Sequence, residues 1–167
     1  MSEASNELVV IVPLTRTPER ERQYRWISPL FEHQPRFSVL KENQSVDLDN
    51  IHDLRVAVIK GSGLLPVLEQ MNIANLLLNT DAIINAKLLR HNRVHAIAES
   101  QYVDTYHWRK AGFDTQELRF IPLGAKKTIY IASNLDFPVA MSGRIARAIE
   151  DLRKQGVLMD ILREWEK

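Results

Sequence analysis

The residues Thr15-Arg16-Thr17-Pro18-Glu19-Arg20 bring hydroxyls and two guanidinium groups to a point where a short helix or helical turn is expected. Thr17 suits the cap, Pro18 the first helical position and Glu19 the first turn. A cation beside a helix N-terminus is electrostatically misplaced by roughly 0.3–1 kcal/mol, and an anion docked against Arg20 reverses that sign. The planar guanidinium fork matches a carboxylate, and the Thr15 hydroxyl is placed to add a hydrogen bond. The plain alternative is that Arg20 pairs with a neighbouring acid or is solvated.

A second candidate is Gly61-Ser62-Gly63, directly after the apolar run Leu54–Ile59 and ahead of a segment with helical periodicity. Glycines let a ligand approach the backbone, and free N–H groups at a helix start bind anions. Neither a Walker loop nor a dinucleotide fingerprint is present, because the Lys-Ser/Thr and the third glycine are missing. A plain tight turn explains the same residues. Glu99 and Ser100 follow a strand predicted at Val94–Ala98, at the end where α/β sheets bind ligands. His91 and His95 straddle a helix end and a strand, which removes the one-face geometry of a metal pair, so no metal and no cofactor is expected. No Gly-x-Ser-x-Gly elbow occurs. Tyr102, Tyr106 and Trp108 read as the packing of one helix.

The elements that must position these groups alternate. Leu8–Val12 is a β-branched run that reads as a buried strand ending at Pro13. Further strands are predicted at Phe37–Leu40, Leu54–Ile59, Ile73–Leu78, Val94–Ala98, Leu118–Pro122 and Thr128–Ala132. Helices are predicted after Gly63, from Thr80-Asp81 to a left-handed Asn92, and around Tyr102 and Tyr106. A further helix is predicted from a Ser142 cap to Gly156, and a last amphipathic one carries Leu158, Ile161, Leu162 and Trp165. Strands and helices alternating at these lengths imply an α/β fold with parallel sheets.

Composition narrows the partners. The 22 basic and 21 acidic residues leave a formal charge of +1, so nucleic acid is not an expected partner and any attraction for an anion is local. Cysteine is absent, which removes disulfides, thiolate zinc sites and thiol nucleophiles. The N-terminus Met1-Ser2-Glu3 has no basic region followed by an apolar stretch.

In order and spacing these segments resemble the type 2 periplasmic solute-binding proteins of amino-acid ABC transporters, bacterial extracellular solute-binding family 3. The likeness rests on Thr17-Pro18-Glu19-Arg20 followed by Tyr24–Leu30, on Asp53–Val58 running into Gly61-Ser62, on Ala86–Ala98, on Tyr130–Ser133 and on Ile145–Trp165. It implies a two-lobed, venus-flytrap α/β fold whose first lobe, residues 1–36 and 130–167, lacks the family's opening strand-helix-strand-helix unit. The second lobe would be residues 37–129, with hinge strands near 37–40 and 126–132.

By the same resemblance, Arg20 holds a ligand carboxylate with help from Leu14 and Thr15, while Ser62 and the Gly63 amide close over it from the second lobe. The family's aspartate for the ligand ammonium falls at Ser100, with Glu99 adjacent. Either Glu99 substitutes for it or the ligand is not an ordinary α-amino acid. The function implied is solute binding for a membrane permease in the periplasm, not catalysis. The ligand is a small carboxylate-bearing molecule, with polar amino acids among the candidates. The alternatives are a dehydratase-like cleft enzyme with Glu99 as base and the ligand-sensing domain of a regulator. An unpaired edge at Leu8–Val12 further implies a homodimer of this shortened chain.

Overall fold

The computed structural model describes residues 8–166, so the leader reading at Met1-Ser2-Glu3 falls outside the described residues. The chain divides into two compact units, one made of residues 8–32 and 127–165 and the other of residues 33–126.

The second unit is built on a five-stranded sheet of order β5-β4-β6-β3-β7. Its strands are β3 (Pro35–Leu40), β4 (Arg55–Ile59), β5 (Asn75–Asn79), β6 (Ala96–Ser100) and β7 (Leu118–Pro122). The sheet is mixed, not parallel throughout. β5, β4 and β6 run parallel, whereas β3 is antiparallel to both β6 and β7. Hydrophobic pattern sets which face of a strand is buried but carries no sign of its direction. β3, expected as a crossing strand, lies inside this sheet, and the divide between the units falls at residues 32–33.

Alternation along the strands splits the core in two. Phe37, Val39, Val56, Val58, Ala96, Ala98 and Ile121 face helix α1 (Leu65–Gln70) through its buried Leu68. Leu40, Ala57, Ile97 and Leu118 face α2 (Ala82–Arg90) and α3 (Gln101–Lys110) through Leu89 and Trp108. Local chemistry ends these helices where the sequence predicts. The Asp81 carboxylate accepts the Ile83 N–H at 2.8 Å to cap α2, and Asn92 takes the left-handed conformation at φ 55° just past its end.

The first unit holds a three-stranded sheet of order β1-β8-β2, from β1 (Val10–Thr15), β2 (Arg25–His33) and β8 (Lys127–Ser133). It also holds α4 (Val139–Lys154) and α5 (Val157–Glu166), with Gly156 at φ 80° between them. β1 runs through Pro13 instead of stopping there, and its pairing with β8 is irregular between Ile11 and Leu14, the stretch that contains a residue without an N–H. The buried strand expected at Leu8–Val12 is instead an edge strand, with Val10 41% and Val12 54% exposed. α4 begins three residues before the expected Ser142 cap. Ser142 lies inside the helix, where its hydroxyl donates back to the Pro138 carbonyl at 3.3 Å.

Candidate functional site

In the first unit the chain leaves β1 at Thr15 and turns back into β2 through reverse turns. The Arg20 N–H bonds the Thr17 carbonyl at 3.1 Å, Glu21 bonds Pro18 at 3.3 Å and Gln23 bonds Arg20 at 3.0 Å. No α-helix forms here, so the dipole argument for Arg20 lapses. What singles Arg20 out is how the two arginines divide their partners. Arg16 takes Glu21 in a two-pronged pair, with Nε donating to Oε2 at 2.7 Å, and its guanidinium lies 5.4 Å from the Trp26 ring and 5.3 Å from the Tyr130 ring. Arg16 thereby holds the Glu21 carboxyl below its ordinary range. Glu19 is likewise held low, first by a hydrogen bond from Thr17.

Arg20 is half-buried and donates Nη1 to the Thr15 carbonyl at 3.3 Å. Among the described residues no carboxylate lies within ion-pair distance of it. The surface ion pair weighed for Arg20 belongs to Arg16. Leu14 and Thr15 are half-buried at the end of β1, opposite Tyr130 and Ile129. Thr15 contributes its carbonyl to Arg20, and Leu14 contributes backbone position.

In the second unit the C-terminal ends of parallel β5, β4 and β6 lie along one sheet edge and carry Asp81, Gly61-Ser62-Gly63 and Glu99-Ser100. Gly61 is left-handed at φ 78°, which a side chain would strain. Ser62 closes the turn. Its N–H bonds the Ile59 carbonyl at 3.0 Å, its hydroxyl oxygen accepts the Leu64 N–H at 3.2 Å and its carbonyl accepts the Leu65 N–H at 3.2 Å. With Pro66 next in line, the start of α1 keeps few donors for an anion. The donors that remain are the Ser62 hydroxyl proton and the amide of exposed Gly63.

Glu99 and Ser100 are adjacent on β6 and point to opposite faces of the sheet. Ser100 follows Ala96 and Ala98 toward the α1 side. Although it stands at the cap of α3, its hydroxyl makes no capping bond. Glu99 follows Ile97 toward α3, opposite Arg36 on β3. Its Oε1 accepts the Ser100 N–H at 2.8 Å. Burial pushes its pKa up to about 7; the Ser100 N–H opposes that rise and the Asp104 charge adds to it.

Asp104 was not among the sequence candidates. It is 5% exposed and receives Arg36 Nε at 3.1 Å, Arg36 Nη2 at 2.8 Å, the Thr105 N–H at 2.6 Å and the Ser38 hydroxyl. Burial raises its carboxyl above the ordinary value, and Arg36 offsets part of that rise. Arg36 is also stacked 3.5 Å from the Phe120 ring centroid. Among the described residues no group of three or more His, Cys, Asp or Glu is placed to hold a metal. The His95 Nδ1 accepts the Arg55 N–H at 3.0 Å, and burial lowers the pKa of His95.

No family model and no curated protein sequence matches the chain. Solved structures do. An ancestral arginine-binding protein bound to arginine superposes with a TM-score of 0.76 at 20% identity, over 91% of this chain and 68% of its own. A histidine kinase sensor domain with similarity to periplasmic binding proteins gives 0.78 at 16% identity, over 93% and 68%. The cysteine-binding protein from Campylobacter jejuni gives 0.76 at 21% identity, over 92% and 61%. The chain therefore has the two-lobed α/β fold of type 2 periplasmic binding proteins and spans about two thirds of the length of the structures it matches.

Proposed function

We propose that this chain binds a small carboxylate-bearing solute and serves as the solute-binding component of an ABC-type transporter, acting outside the cytoplasmic membrane with a membrane permease as partner. The observation that carries the reading is Arg20, a half-buried guanidinium held by a backbone carbonyl while its neighbour Arg16 takes the nearby acid. A guanidinium placed this way has directed N–H donors left for a bidentate oxyanion. Thr15 of the same unit, and Ser62 and Gly63 of the second, supply neutral donors. Leu14 and Ser100 complete the proposed set, and Glu99, which points to the face of the sheet opposite Ser100, is left out of it.

A sensing role is the second reading, favoured by the histidine kinase sensor domain that shares this fold. Both roles require the same binding step. A thermal-shift screen of the chain against carboxylates tests it, since a ligand at 100 times its Kd adds about 2.7 kcal/mol of stability. With any ligand so found, Arg20→Ala is expected to weaken binding by about 2–5 kcal/mol in calorimetric titration and to leave the circular dichroism unchanged. An unchanged Kd removes Arg20 from the site.

A further inference from the structure

We infer that the outer face of α2 is a docking surface for a phospholipid bilayer that presents anionic phosphodiesters, with Lys87 and Arg93 meeting the phosphates and Ile84 entering the interface. The inference concerns the end of the second unit away from Ser62 and Ser100, and it stands whether or not a carboxylate binds there. α2 follows the C-terminal end of β5 and leads back to the start of β6, so its last turn lies at the opposite edge of the sheet. Its core side carries Asn85, Ala86 and Leu89, all buried. On an α-helix, Ile84, Lys87, Leu88 and His91 fall together on the other side, spaced i, i+3, i+4 and i+7. With Arg93, just past the helix end, they line an open groove of about 430 Å³. Ile84 is 43% exposed among these basic groups, and Leu88, one turn on, is partly buried.

The positive charge of this face is not used within the chain. Among the described residues no carboxylate lies within ion-pair distance of Lys87, His91 or Arg93, and none of their side-chain nitrogens makes a hydrogen bond. Arg90, by contrast, takes Glu117 at 3.2 Å. The helix dipole accounts for a cation here but not for this many, since a helix C-terminus carries roughly half an elementary negative charge against the full charges of Lys87 and Arg93. α3 also ends in basic residues, Arg109 and Lys110. The acids Glu42, Asp47, Asp49 and Asp53 belong to the connection from β3 to β4, whose Val46 and Ile51 pack into the core on the α1 side of the sheet.

The apolar member decides the kind of anion. A small ion such as phosphate would engage the cations and leave Ile84 in water. A bilayer engages both, because its phosphodiesters meet the cations while an apolar side chain enters the boundary beneath them. The long stems of Lys87 and Arg93 suit the same boundary, with their charged ends at the headgroups.

Sedimentation of the full chain with vesicles tests this. Vesicles of equal parts phosphatidylglycerol and phosphatidylcholine are expected to carry the chain down, and phosphatidylcholine alone to leave it in solution. Lys87→Glu with Arg93→Glu is expected to lower partition by at least about tenfold. Lys126→Glu with Lys154→Glu makes the same change in net charge at exposed positions elsewhere and should lower it by less than about twofold. Ile84→Ser is expected to lower it by about threefold. Inorganic phosphate, compared with chloride at equal ionic strength, should leave it unchanged. All five substituted side chains are exposed, and an unchanged circular dichroism spectrum verifies that each variant folds. Equal binding to both kinds of vesicle overturns the inference, as does a loss in the Lys87 and Arg93 variant no greater than in its charge-matched control. An Ile84→Ser chain that binds as before, or competition by phosphate, reduces the face to a small-anion site and overturns it too. Binding to neither vesicle overturns it and leaves an acidic protein segment as the occupant to test.

Discussion

The two units hide their apolar residues to very different degrees. The second has a core on each face of its sheet, with Phe37, Val39, Val56, Val58, Leu89 and Trp108 all but inaccessible. Among the described residues of the first unit, Ile129, Ala132 and Phe137 are buried, yet α4 has no buried residue and Val139 is 69% exposed. Leu8, Val9, Val10, Val12, Met141, Met159, Ile161 and Trp165 are exposed as well. Amphipathic patterning is present in both units. What separates them is whether a second layer lies over the apolar face, and a strand or helix becomes core only when one does.

The comparison is tested most severely at Trp108, which is 1% exposed and donates Nε1 to the Asp114 carbonyl at 2.8 Å. Trp108→Ala is expected to cost about 3–5 kcal/mol in urea denaturation, whereas Val139→Ala in the first unit should change stability by no more than about 0.5 kcal/mol. Similar losses at the two positions would erase the distinction.

A smaller effect comes from Glu99. Its folded pKa, about 7, lies above the ordinary carboxylate value, so the folded state binds the proton more tightly and stability falls as pH rises from the unfolded value through about 7. Glu99→Gln is expected to stabilise the chain by on the order of 1–3 kcal/mol at pH 8 and to change little at pH 4. Paired denaturation curves at the two pH values check it, and a loss at pH 8 would show that the ionised carboxylate supports the Ser100 N–H more than burial opposes it.

The smallest change in stability, though not in behaviour, belongs to the exposed edge of β1. Light scattering at rising concentration is expected to show a homodimer above the 19.3 kDa chain mass, and Val12→Lys to return the monomer while altering stability by less than about 0.5 kcal/mol. A monomer at every concentration would mean that these exposed residues are tolerated in water.

Much of the second unit is legible in the sequence because its signals are local. β7 occupies the predicted Leu118–Pro122, and Asn92 ends α2 in the left-handed conformation. β2 is not legible. Pro29 interrupts it and its residues are half-buried on both faces, so Arg25–His33 shows neither alternation nor a continuous apolar run. The direction of β3 depends on the path of the whole chain. At the site, Gly61-Ser62-Gly63 is read correctly as a strand-to-helix turn, but the allocation of Glu21 to Arg16 depends on side-chain geometry that spacing does not fix. The opposed directions of Glu99 and Ser100 follow from a period of two, once β6 is carried to Ser100 and not stopped at Ala98.

The placement of β3 also bears on synthesis. Phe37 pairs with Ala98 on one side and Ile121 on the other, so this strand leaves the ribosome about 60–80 residues ahead of both neighbours. At about 5–20 residues per second it waits for several seconds with two open edges and an apolar face built from Phe37 and Val39. Arg36 and Ser38 occupy the other face, where the finished unit ties them to Asp104. In the nascent chain the same two polar residues interrupt a segment that would otherwise aggregate, so the pair that later anchors α3 first keeps its own strand soluble.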